Sequence, residues 1–241
     1  MHPLTTWTAG LVGDREPAQP LLTLLDGSAR VELSGATTAN WVAKSANLLV
    51  DGLDGPARVG LALPLHWQTV VLLLAGVATG AEVVVAGAPA ALRGCDVGFC
   101  AVEDAPALLD AGVGEVLAVS LHPLGAPLPA VPPMVGDHGR EVPGYGDHWG
   151  GSRPERVAVT VGGQPLGPLP RLGLGTDDRV LLAGSPADPE TLRLLLGALA
   201  AGAALLLVPD PATVDLDGVA GGEQATATAG LDLAGLPRLS G

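Results

Sequence analysis

The apolar residues of this chain come in short unbroken runs, each stopped by glycine, proline or a charge. That pattern constrains the fold more than any other feature. Val59–Leu63 is halted by Pro64, and Glu82–Ala86, Val97–Val102, Glu115–Ser120, Val157–Val161, Arg179–Ala183 and Ala203–Val208 repeat the design. A strand with one wet face alternates, whereas a continuous Val, Leu and Ala strand is covered on both faces, as in parallel sheets flanked by helices. Helix candidates lie between the runs, at 65–78 before Gly80, at Ala105–Ala111 and at Pro189–Ala201. Strand, helix and strand in that order make βαβ units, so the expected class is α/β, a mostly parallel sheet with helices on both faces. The opening differs. Leu21–Leu25, Asp26-Gly27 and Val31–Leu33 read as a hairpin, because Asp-Gly supplies the positive φ of a tight turn. Ser34 then caps a helix over 35–50, with Trp41, Val42, Ala46, Leu49 and Val50 on one stripe and Asp51-Gly52 ending it.

With 241 residues, 48% of them hydrophobic, the chain fits a single α/β domain over 1–241, and 2% aromatics mean a core of Ala, Val and Leu. The 35 glycines and 22 prolines would suggest disorder in a polar chain, but here they punctuate apolar blocks. The stretch 122–156, with Pro123, Pro127, Pro129, Pro132, Pro133, Pro143 and Pro154, is expected to be an irregular connection between two βαβ blocks. Thr226–Leu231 reads as a last strand and 232–241 as a loose tail. A net charge of −13, with Lys44 the only lysine, excludes nucleic acid and anionic membrane surfaces as partners. The longest uncharged apolar run, Leu194–Val208, is shorter than the roughly 18–20 residues of a membrane span. Met1–Thr5 opens no signal peptide, and Cys95 and Cys100, without CxxC spacing, read as buried thiols in a reducing cytoplasm.

Two blocks carry a resemblance. The first is Leu33-Ser34 into the Asn40–Leu49 helix, then Val59-Gly60-Leu61-Ala62-Leu63-Pro64, then Leu72–Gly80 into Ala81-Glu82-Val83-Val84-Val85. The second runs from Asp178-Arg179-Val180-Leu181-Leu182 through Leu199–Val208 to Pro209. In order and spacing they resemble the N-terminal part of the AMP-forming acyl-CoA synthetases, of the adenylate-forming superfamily. The chain is also similar to short actinobacterial proteins of that kind with no assigned activity. Between the blocks the family carries Thr-Ser-Gly-Thr-Thr-Gly-x-Pro-Lys-Gly, whose amides, hydroxyls and lysine wrap the ATP phosphates. The resemblance places Thr160, Gly162, Gly163, Pro165 and Gly167 at that loop, with Val161 in place of a Ser and Leu166 in place of the Lys. Charge-assisted bonds of about 1.5–3 kcal/mol each are thereby lost, so no ATP and no other cofactor is expected. The family's Tyr-Gly-x-Thr-Glu segment, ribose-binding Asp and C-terminal catalytic Lys have no counterpart in the 241 residues.

Spacing sorts the other polar groups. Ser34-Gly35-Ala36-Thr37-Thr38 looks like a phosphate loop but precedes a helix, where capping explains it. Gly112-Val113-Gly114 lacks the third glycine of a dinucleotide fingerprint, and no Gly-x-Ser-x-Gly elbow is present. His138, Glu141 and His148 form the one set of conceivable metal ligands, without the spacing of a metal site, so no metal is expected. His66 and Trp67 follow one strand and Ser185 another, at the carboxyl ends where open α/β sheets bind ligands. The sequence therefore points to a non-catalytic relative of the synthetases, a binding or partner protein whose ligand is unnamed. Two alternatives stand beside it: an acid–CoA ligase (AMP-forming) completed by a partner subunit, and an oligomeric assembly protein.

Overall fold

The structure, a computed structural model, describes residues 16–151 and 158–240. The readings at Met1–Thr5 and at Val157 lie outside them. Strands β1 (Pro20–Asp26) and β2 (Ala29–Ser34) form the expected antiparallel hairpin, turning at Gly27 with φ +55. Helix α1 (Gly35–Asn47) follows directly, and the Ser34 Oγ accepts from the Thr37 N–H at 3.1 Å, so the hydroxyl cluster is a cap. A π-helical turn at Leu48–Gly52 widens the end of the helix. The extra residue per turn brings Leu48 inward and leaves Val50 40% exposed, against the even helical stripe expected from sequence.

The chain continues through β3 (Arg58–Ala62), α2 (Trp67–Thr79), β4 (Glu82–Val85), β5 (Val97–Cys100), α3 (Ala105–Asp110) and β6 (Glu115–Ala118). Then come β7 (Val135–Asp137) and α4 (His138–Glu141), β8 (Ala158–Val161) and β9 (Gln164–Pro165). The last segment holds β10 (Arg179–Ala183), α5 (Pro189–Ala200), β11 (Ala204–Val208), α6 (Leu216–Gly222) and β12 (Ala227–Ala229). Among the described residues, no helix is long and apolar enough to cross a membrane.

Where the sequence suggested one α/β domain, the chain builds two sheets in two compact units. One unit takes in the chain to Ala39, Leu65–Trp67 and the chain from Gly167; the other is Asn40–Pro64 and Gln68–Leu166. In the first, the strand order is β12-β10-β11-β1-β2, parallel except for the β1–β2 hairpin. The N-terminal hairpin joins it through Leu22↔Leu205 and Leu24↔Leu207, a long-range pairing that apolar runs alone do not announce. Leu22, Leu24, Leu182, Leu206 and Leu207 are fully buried there, each contributing about 1.5–3 kcal/mol of transfer free energy. In the second unit the order is β7-β6-β5-β3-β4-β8-β9, parallel except for β8–β9. Its core gathers Leu92, Leu108, Val113, Val116 and both cysteines, which are unbridged. Burial raises both thiols, Cys100 to about 12.

Two further expectations change. The stretch 122–156 is not wholly irregular, because Val135–Asp137 joins the sheet edge beside β6 and Asp137 caps α4 by accepting from the Arg140 N–H at 3.3 Å. Residues 232–240 are tied back to β12 rather than loose. The Thr228 N–H donates to the Pro237 carbonyl at 2.9 Å, the Leu239 N–H to the Thr228 carbonyl at 2.7 Å, and Arg238 pairs with Asp232. A glycine- and proline-rich segment hides such pairing, since its order comes from the backbone and not from an apolar pattern.

Candidate functional site

The segment Thr160–Gly167, which the resemblance sets at a phosphate loop, opens with a β-hairpin closed by two residues. Thr160 pairs with Pro165 and Val161 with Gln164, which leaves only Gly162 and Gly163 to turn the chain. Their φ values are +57 and +79, the two left-handed positions of a type I′ turn, which glycine adopts without strain. The Gly162 N–H points to the Val85 carbonyl at 3.4 Å, and the Leu166 N–H donates to the Val159 carbonyl at 2.9 Å. A phosphate cradle needs several amides converging on one point. Here the hairpin is folded onto its own ladder instead. Leu166, where the resemblance places a lysine, is buried at 7% exposure, so this position has become part of the core. Thr160, Gly162, Gly163 and Pro165 are thus brought together by the hairpin, while Gly167, with φ +78, belongs to the chain that leaves it.

The remaining positions serve local structure. His66 and Trp67 are buried side by side with ring centroids 5.6 Å apart, and burial lowers the His66 pKa to about 4. Ser185 is exposed after β10, where its Oγ accepts from the Ala187 N–H at 3.2 Å in a turn of its own. Beyond it Asp188 caps α5, taking the Thr191 N–H and the Thr191 hydroxyl at 2.8 Å each. A cavity of about 210 Å³ opens there, lined by Asp188, Glu190, Thr191, Gly230 and Arg238. The helix dipole would favour an anion at that end, but the Asp188 carboxylate already occupies the free amide and Glu190 adds negative charge.

His138, Glu141 and His148 do not converge. The His138 ring is buried against Phe99 in a T-shaped contact at 5.8 Å, whereas Glu141 and His148 are exposed. Among the described residues, no three His, Cys, Asp or Glu side chains are placed to hold a metal ion. Neither ring nitrogen of His138 has a hydrogen-bond partner, and burial lowers its pKa to about 4.

Sequence reasoning missed the work of Lys44. Its Nζ donates to the Pro143 carbonyl at 3.2 Å and to the Tyr145 carbonyl at 2.6 Å. One helical turn on, the Asn47 amide donates to the carbonyls of Gly146 and His148 at 2.8 and 3.0 Å. The pair at i and i+3 laces residues 143–148 onto α1. The signal was a lone lysine in a chain that otherwise uses arginine: a compact ammonium with three rotatable donors suits a cluster of carbonyls, where a planar guanidinium would not.

The two-sheet α/β fold is that of the N-terminal part of the AMP-forming acyl-CoA synthetases. The acyl-CoA synthetase of Brucella canis matches it with a TM-score of 0.72 and 18% identity, over 92% of this chain and 46% of that one. A benzoate CoA ligase from Burkholderia xenovorans LB400 matches at 0.69 and 14%, over 95% and 50%. A fatty acyl CoA synthetase of Mycobacterium tuberculosis matches at 0.67 and 13%, over 94% and 49%. The chain spans about half the length of these structures, and at such identities the likeness is one of fold. No family model matches the sequence. A TIGR03089 family protein of Mycobacterium tuberculosis (strain ATCC 25618 / H37Rv) is 38% identical over 213 residues, 82% of this chain and 86% of that protein. The chain belongs to the TIGR03089 family.

Proposed function

We propose that this chain is a non-catalytic member of the adenylate-forming fold, retained for binding or partnership rather than for acyl activation. The reading rests on the two-residue turn at Gly162-Gly163, in the segment that the resemblance to the synthetases matches to their phosphate loop. It is supported by the fate of the lysines. The chain has one, Lys44, and its ammonium is engaged by two backbone carbonyls. Stabilising the charge that develops on a transferring phosphoryl group requires cations and preorganised donors aimed at it. Neither the hairpin nor Lys44 offers them.

The test is ATP–pyrophosphate exchange by the purified chain over a panel of short, long and aromatic carboxylic acids. The expected outcome is no exchange above the protein-free rate with any of them. Exchange that scales with protein concentration and needs a carboxylic acid would refute the proposal and favour an acid–CoA ligase.

A further inference from the structure

The first unit ends on one side in β2, and no described strand pairs with its outer edge. The hairpin fixes which backbone groups face outward. Asp26 and Ala29 close a two-residue loop as a hydrogen-bonded pair, so the bonded pairs alternate to Leu24–Val31 and Leu22–Leu33. The N–H and C=O of Arg30 and Glu32 therefore point away from β1.

We propose that β2 is a self-pairing edge, which joins β2 of a second copy in antiparallel fashion about a twofold axis at Val31. An antiparallel pair bonds only where outward groups of both strands stand opposite each other, so Arg30 and Glu32 must be matched among themselves. Centring the axis on Arg30 sets Arg30 against Arg30, and centring it on Glu32 sets Glu32 against Glu32. Only the axis at Val31 sets each Arg30 opposite the partner's Glu32, giving two bonded pairs and four backbone hydrogen bonds with opposite charges on one face. On the other face, half-buried Val31 meets Val31, and Ala29 lies opposite buried Leu33. Both faces are thus self-complementary in the same register. The Arg30 guanidinium is held in place from its own unit, with Nε to Glu223 Oε1 at 2.5 Å. Its Nη2 reaches Glu32 Oε2 at 2.6 Å, on a carboxylate with 34% of its side chain exposed and room to accept from a second chain.

Charged edges commonly prevent pairing. Prevention works through charges that repel their own copies, whereas the alternation in Ala29–Ser34 attracts its copy in one register. A six-residue edge buries far less than the ~1,200 Å² of a stable interface, so the dimer is concentration-dependent and not obligate.

Sedimentation velocity over a wide concentration series, at low and high salt, reads the association. The expected result is a monomer–dimer equilibrium that is clearest at moderate salt, which screens the long-range repulsion between two chains of charge −13 while the contact pairs persist. Glu32→Arg should weaken it about tenfold or more, by turning two attractive cross-strand pairs into repulsive ones. An equimolar mixture of Glu32→Arg and Arg30→Glu chains should recover it, since each then opposes the other's sign. Because Arg30→Glu also removes the bond to Glu223, register is tested separately by oxidative cross-linking. Val31→Cys, facing its own copy, should give a disulfide dimer, and Ala29→Cys, facing Leu33, should not. The native thiols are buried and do not compete. A monomer at every concentration, a dimer indifferent to Glu32→Arg, or equal cross-linking at positions 31 and 29 would each overturn the proposal.

Discussion

The segment Ser34–Thr38 and the turn at Gly162-Gly163 divide between them the two properties of a phosphate loop. The first has hydroxyls at close spacing and a helix behind it, but its donors and acceptors are spent locally. Ser34 Oγ takes the Thr37 N–H, and the Thr38 hydroxyl donates to the Ser34 carbonyl at 2.9 Å. The second follows a parallel strand, as such a loop does, yet the turn has neither hydroxyls nor a spare length of backbone. A binding loop is defined by donors left free and convergent, and neither its residue types nor its position in the chain suffices.

Several substitutions test this contrast, and the largest effect is expected from placing a cation where the resemblance sets the family's lysine. Leu166→Lys places an ammonium at a buried position without a partner, so it should lower stability by about 2–4 kcal/mol and still confer no nucleotide affinity. Thermal melts with and without MgATP read both outcomes. Next is the turn itself. Gly162→Val forces a β-branched residue into positive φ and should cost about 1–2 kcal/mol, whereas Gly162→Asn, at home in a type I′ turn, should stay within about 0.5 kcal/mol of the parent. Equal behaviour of the two variants in chemical denaturation would mean the turn is not as described. Ser34→Ala should cost about 1 kcal/mol, the usual size of a lost helix cap, and should leave the 162–163 turn unchanged by hydrogen exchange.

The smallest effect is a pH dependence on the neutral side. His66 and His138 are held neutral by burial, with pKa lowered from 6.5 to about 4 in the folded chain. The unfolded chain therefore binds more protons below pH 6.5. The stability these groups contribute is complete above that value and is lost as pH falls toward 4. Between pH 7.5 and 6 each should cost less than about 1 kcal/mol, and His138→Leu should flatten this acid limb in denaturation curves taken across pH. A limb that His138→Leu leaves unaltered would assign it to other groups.

The strands and long helices were legible because continuous apolar runs and their glycine stops carry burial and period together. Val59–Leu63 and Ala203–Val208 each fell within a residue of β3 and β11. What failed to show was order without an apolar pattern. In Leu216–Gly222 three glycines argue against a helix, and α6 forms because Leu216, Val219 and Ala220 pack against Leu181 and Leu206. Strand β7 has one buried apolar side chain in three residues and is ordered by its ladder to β6. At the candidate site, the absence of a hydroxyl at Val161 and of a lysine at Leu166 could be read directly from the sequence. The shrinkage to two residues could not, since Thr160–Gly167 as a string also fits a longer loop, and only the pairing of Val161 with Gln164 distinguishes them.

The most direct test of the central claim reads the turn while nucleotide is offered. Amide chemical shifts of Gly162, Gly163 and Gln164 should stay unchanged as MgATP is titrated into the labelled chain to millimolar concentration. A saturable shift confined to those amides would show that the turn opens to hold phosphate, and would contradict the account.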